Sequence, residues 1–131
     1  MDGSRRIERE RVLSLLYEAE MKGESVDVTL DALPLMPETF VVETVRGVGE
    51  CTKKVDELID AHAIGWDAER MASIDRNVLR IGVWELLERK DLSIAVIISE
   101  AVELAKRFST EESGGFVNGV LSAVGAKVRP E

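Results

Sequence analysis

Ser113-Gly114-Gly115-Phe116-Val117-Asn118-Gly119-Val120-Leu121 is the stretch on which the reading of this chain turns, with Glu100-Ala101-Val102-Glu103-Leu104-Ala105-Lys106 shortly before it. Taken alone, Asn118-Gly119 is a hairpin-turn dipeptide. The apolar residues decide against a turn: Phe116, Val117, Val120, Leu121 and Val124 recur at i, i+1, i+4, i+5 and i+8, one face of a helix. Val96, Ile97 and Ile98 locally favour a strand, yet residues 100–106 continue the helical period without a break. Both segments therefore read as helix. Ser109 and Glu112 have capping-box spacing before the last helix, and Ser113 is an equally good cap.

Working outward, a first helix is expected over residues 5–22, burying Val12, Leu15, Leu16 and Ala19 and ending at Gly23. A short helical segment near 26–33 is stopped by Pro34. Pro37 suits the first turn of a long helix, in which Phe40, Val41, Thr44, Val45, Val48, Val55, Leu58 and Ile59 keep helical spacing as far as Ala63. Gly65 and Trp66 make a corner, and Asp67 caps a short helix through Met71. The helix over 75–90 is apolar on several sides (Val78, Leu79, Ile81, Val83, Trp84, Leu86, Leu87), the mark of a central helix contacted from more than one direction. Residues 91–93 turn the chain into a helix over 94–108. The expectation is an all-α chain of about seven helices joined by short loops.

Composition bounds the function. At 131 residues the chain reads as one domain spanning 1–131, 45% hydrophobic and 32% charged, which suits a compact helical protein with a charged surface. No run approaches a membrane span, and arginines and acids stand where a signal peptide would be apolar. The single cysteine cannot form an internal disulfide, so a cytoplasmic location is the default. A net charge of −8 argues against a general nucleic-acid binder. Any such contact needs a local basic patch or a basic partner, and one patch is visible: Arg5, Arg6, Arg9 and Arg11, interrupted by Glu8 and Glu10. Arg5 and Arg9 are four apart and share a helix face, with Arg6 beside them.

Enzyme chemistry is not expected. His62 and Cys51 are the only histidine and cysteine, and eleven residues of one helix would hold them roughly 16 Å apart. Glu85, Glu88, Glu100 and Glu103 lie on neighbouring helices, but the carboxylate-bridged di-metal bundles need a second histidine. No Gly-rich phosphate loop follows a strand. The expectation is no catalytic residue, no metal and no cofactor.

Taken together, four groups of residues resemble the NusB family of bacterial transcription antitermination factors. They are Arg5-Arg6, Arg9-Glu10 and Leu16-Tyr17 in the first helix; Asp75-Arg76, Val78-Leu79-Arg80 and Trp84-Glu85-Leu86 in the central one; residues 100–106; and Ser113 with Phe116-Val117-Asn118-Gly119-Val120-Leu121. The resemblance covers nearly the whole chain. It implies two small helical bundles sharing the central helix. It also implies binding of the boxA element of ribosomal-operon RNA together with NusE, a small-subunit ribosomal protein, in a transcription elongation complex. By the same resemblance Arg5, Arg6 and Arg9 meet RNA phosphates, Glu112, Ser113 and Phe116 lie near the RNA, and Asp75, Arg80 and Glu85 face NusE. By its helical spacing with Val120, Phe116 suits core packing better than stacking a base.

Glu8, Ser99, Gly114 and Gly115 depart from the family pattern, and the added acid and lost bases imply strong dependence on the partner. Two rival readings remain at this level. One is an RNA-recognition module of the kind that precedes certain rRNA cytosine methyltransferase domains, although no cofactor-binding domain follows before Glu131. The other is a helical protein–protein scaffold without RNA binding. Composition leaves both a homodimer and an acidic monomer open.

Overall fold

The computed structural model describes residues 3–65 and 71–130. Among these it has seven α-helices and no strand: α1 (Gly3–Lys22), α2 (Val26–Asp31), α3 (Thr39–Glu50), α4 (Thr52–His62), α5 (Ser73–Glu88), α6 (Ile94–Phe108) and α7 (Glu111–Val128). Helices α1, α2 and α3 pack on one another, while α4 and α6 pack against α7; α5 touches α1, α3, α4, α6 and α7. The molecule is therefore two small bundles with α5 common to both. No helix among the described residues is long and apolar enough to cross a membrane.

Local chemistry sets the helix ends. Gly23 takes φ +66°, which lets its own N–H reach Glu20 O and the N–H of Glu24 reach Ala19 O, closing α1 with a left-handed glycine stop. Ser25 and Ser93 cap α2 and α6, their hydroxyls accepting from Val28 N and Val96 N. The last helix is capped by neither Ser109 nor Ser113 but by Thr110, whose hydroxyl accepts from Ser113 N at 3.1 Å. Thr110 itself takes the extended backbone that a cap needs, whereas Ser109 still closes α6 and Ser113 is already in the first turn. Asn118-Gly119 sits well inside α7.

The long helix expected over 37–63 is instead two helices. Cys51 leaves the helical region (φ −109°, ψ 14°), and Thr52 turns its hydroxyl back onto Val48 O at 2.8 Å. Periodicity could not show this, because Val48 and Val55 stand two helical turns apart whether or not the axis changes direction between them. Pro37 lies outside α3, which begins at Thr39 with Glu38 at its cap position. The corner at Trp66 and the short helix through Met71 fall largely on residues outside those described.

Helix α5 is buried on all sides, from Asn77 through Leu79 and again from Ile81 through Leu86. Two glycines allow close approach to it: Gly82 faces Leu121 of α7, and Gly47 of α3 lies against the Trp84 indole. Its C-terminal carbonyls are satisfied from α7's end, where Arg129 donates to Leu86 O and, at the cap residue, Arg89 O at 2.9 and 2.8 Å, and also to Leu92 O in the following loop at 2.7 Å. A methyl group at residue 47 would overlap the indole, which is held in the core. Gly47→Ala is therefore expected to destabilise the protein by about 1–3 kcal/mol, read as a lowered thermal midpoint.

Candidate nucleic-acid interface

The N-terminal arginines divide between the interior and the surface. Arg9 is 3% exposed, and its Nε donates to both carboxylate oxygens of Glu85 at 3.1 and 3.3 Å. Glu85 is 1% exposed. Burial pushes its carboxyl above the ordinary range, opposed by the charge and hydrogen bond of Arg9 and by nearby Arg89. Arg9 Nη2 finds no hydrogen-bond partner among the described residues. Beside this pair the Phe40 ring lies 4.1 Å from the Arg5 guanidinium carbon and 4.2 Å from that of Arg89, a cation–π arrangement with Arg9 also near at 5.4 Å.

Arg9, expected at RNA phosphates, and Glu85, expected at a partner surface, are both buried and pair with one another. Sharing a helix face with Arg5 did bring the two together, but that face meets Phe40 and α5.

Arg5 and Arg6 remain at the surface. Arg5 pairs with Glu8 at 2.9 Å. Arg6 makes two bonds to Glu100 of α6, Nε at 3.1 Å and Nη2 at 3.0 Å, and the hydrogen bond from Arg6 draws the Glu100 carboxyl below its ordinary value against the opposing pull of burial. A parallel link runs from Arg107 of α6 to Glu10 of α1 at 2.7 Å. Sequence reasoning missed Arg107; the only signal was Lys106-Arg107-Phe108 at a helix end.

The residues expected near RNA on α7 and the acid expected at the partner converge. Asp75 lies in the first turn of α5, Ala72 rather than Asp75 being its cap. Ser113 is buried and donates its hydroxyl to Asp75 Oδ2 at 3.0 Å, so it ties α7 to α5 and is not free for a ligand. Asp75 Oδ1 is buried with no hydrogen-bond partner among the described residues. A cavity of about 370 Å³ is lined by Met71, Ala72, Asp75, Thr110, Glu112, Ser113 and Phe116. Glu112 is exposed, and Phe116 is half-buried with part of its ring against the core.

Arg80 is placed elsewhere, bonding both oxygens of Asp56 on α4 at 2.8 Å. It lines a larger cleft of about 610 Å³ with Glu20, Arg76 and Asp56. There burial raises the Glu20 carboxyl, but hydrogen bonds from Asn77, Arg76 and Ser73 outweigh it and leave the group below its ordinary value. Arg80 thus fastens α5 to α4 within a self-neutralised network. No group of His, Cys, Asp and Glu that could hold a metal occurs among the described residues.

Removing Arg9 would leave the Glu85 carboxylate buried without its main counter-charge. Arg9→Ala is expected to destabilise the protein by about 3–5 kcal/mol. The check is a chemical-denaturation midpoint, with Arg6→Gln, at an exposed pair, changing it far less.

The family model described as NusB family matches residues 6–126. Transcription antitermination protein NusB of Sorangium cellulosum is 45% identical over 128 residues, covering 93% of this chain and 91% of the relative. The protein of the same name from Thermobifida fusca is 44% identical over 124 residues, covering 92% and 87%. Among solved structures, T. maritima NusB superposes with a TM-score of 0.86 at 36% identity, covering 99% of this chain and 96% of that one. A chain from the crystal structure of antitermination factors NusB and NusE in complex with dsRNA gives a TM-score of 0.79 at 25% identity, covering 94% and 96%. With sequence and fold in agreement along almost its full length, the chain belongs to the NusB family.

Proposed function

We propose that this protein is a cytoplasmic, non-enzymatic transcription antitermination factor that works as a single unit. In this reading it binds boxA RNA of ribosomal-operon transcripts together with NusE and delivers the pair to the elongation complex. Family membership supports the reading, as does the relative seen with NusE and RNA. The observation that carries it is the placement of Arg5 and Arg6 at the exposed start of α1 while Arg9 anchors that helix from within. An acidic body with a net charge of −8 thus presents cations to a polyanion at one defined edge.

Within this reading Arg5 and Arg6 take RNA phosphates. Glu112 and Phe116 border the RNA at the α7 cavity, with Ser113 holding the cavity wall. Asp75 attracts a basic partner through its carboxylate charge beside that cavity, and Arg80 and Glu85 act by holding α5 in place.

Single-strand binding loses affinity with salt at a log–log slope of about −0.7 per phosphate neutralised, so Arg5 and Arg6 together account for about −1.4 of the slope. A fluorescence titration of boxA RNA with the protein and NusE should therefore become shallower by about 0.7 in Arg6→Gln. A slope that Arg6→Gln leaves unchanged would exclude this role. Asp75→Asn keeps the shape and the bond from Ser113 but removes the charge, and it should weaken NusE capture in a pull-down while the circular-dichroism spectrum stays as in the parent. Undiminished capture would remove Asp75 from the partner surface.

A further inference from the structure

The end of α6 has no role in the reading given above. Lys106 and Arg107 are the cations of its last turn, and Phe108, its final residue, is 44% exposed. Phe116 packs against the hydrophobic core, whereas Phe108 is not among the residues that do so. Its ring is instead 5.7 Å from the Arg107 guanidinium carbon.

These three residues also occupy a junction. On one side Arg107 reaches Glu10 of α1, the helix that carries Arg5 and Arg6. On the other, the stem of Lys106 covers Gly114 of α7 so closely that a Cβ there would stand 3.0 Å from Lys106 Cε and Cγ. Two residues further along α7 is Phe116, which with Glu112 lines the cavity beside Asp75. A strand running from the arginines of α1 to that cavity can pass along the end of α6, which contacts both helices. It would meet there a half-exposed aromatic ring with the Arg107 guanidinium beside it, the combination that single-stranded nucleic acid uses for stacking and backbone contact.

We propose that Arg107 and Phe108 form a nucleotide subsite for single-stranded RNA, in which a base stacks on the Phe108 ring and the adjoining phosphate takes Arg107 from Glu10. The inference rests on the RNA-binding reading above. Exchange at Arg107 replaces one anion by another: the guanidinium keeps its charge and its hydrogen-bonded partner count, and Glu10 is released to solvent. Stacking then supplies the contribution that ion exchange alone does not, and it is tolerant of base identity because every base has a π-face.

The test is a fluorescence-anisotropy titration of a single-stranded boxA RNA oligomer with the protein and NusE, comparing the parent chain with Phe108→Ala, Phe108→Trp, Glu10→Gln and Arg6→Gln. Phe108→Ala should weaken binding by roughly five- to a hundredfold with an unchanged thermal midpoint. Phe108→Trp should restore it, and Glu10→Gln should tighten it by freeing Arg107. If Phe108→Ala binds like the parent while Arg6→Gln is weakened, the subsite is wrong and the RNA reading stands. Absence of binding by the parent with NusE overturns both. A lowered midpoint that Phe108→Trp leaves unrepaired assigns the ring to packing, and loss of NusE capture or of self-association without RNA assigns it to a protein contact; either result overturns the subsite.

Discussion

The Arg9–Glu85 pair is the constraint around which this molecule is arranged. Helix α5 is packed against five other helices, so the acid in its last turn has no route to water. A carboxylate there needs a cation, and the one that reaches it comes from α1. Satisfying Glu85 fixes the rotation of α1. With Arg9 turned inward alongside Val12, Leu13 and Leu16, Arg5 one turn earlier comes to the rim over Phe40, and Arg6 and Glu10 point at α6. The charge that is lost to the interior thus sets where the remaining charges stand. Its value is in register more than in net stability, because buried ion pairs often gain nothing over well-packed apolar residues.

Much of this was legible in the sequence. The apolar period placed α1, α6 and α7, and the all-round apolar character of residues 78–87 identified α5 as a central helix contacted from more than one direction. What periodicity could not resolve was any choice between two partners at the same spacing. It could not break the helix at Cys51, since seven residues from Val48 to Val55 satisfy a straight and a bent path alike. It placed Arg5 and Arg9 on one face but could not say that Phe40, Glu85 and Arg89, all distant in sequence, would close over it. A signal for the buried pair was present in hindsight: Glu85 interrupts an otherwise apolar run between Trp84 and Leu86, and an acid so placed needs a counter-ion.

The α7 residues show the same limit from the other direction. Glu112, Ser113 and Phe116 lie within five positions, yet they do three different things. Glu112 faces water, Ser113 spends its hydroxyl on Asp75, and Phe116 divides its ring between the core and a cavity. Helical geometry explains the division, since residues around the opening turns of a helix face in turn solvent, the neighbouring helix and the groove between them. The identity of the neighbour, α5 with Asp75 in its own first turn, is a tertiary fact. It joins residues that the sequence assigned to two separate surfaces.

The surface cations carry a final consequence. Arg5, Arg6 and Arg107 are each already matched to a carboxylate, Glu8, Glu100 and Glu10 in turn. A phosphate that approaches this edge exchanges with a resident anion rather than meeting a bare cation. Each exchange returns much of the Coulomb energy it gains, and the displaced carboxylates stay close enough to repel the incoming strand. Bulk attraction to polyanions is muted accordingly, in keeping with the acidic body. Binding then depends on contacts that ion exchange cannot supply: a stacked base, a shaped cavity, or a basic partner that absorbs the released carboxylates. An edge neutralised by its own acids therefore discriminates against nucleic acid that offers charge alone.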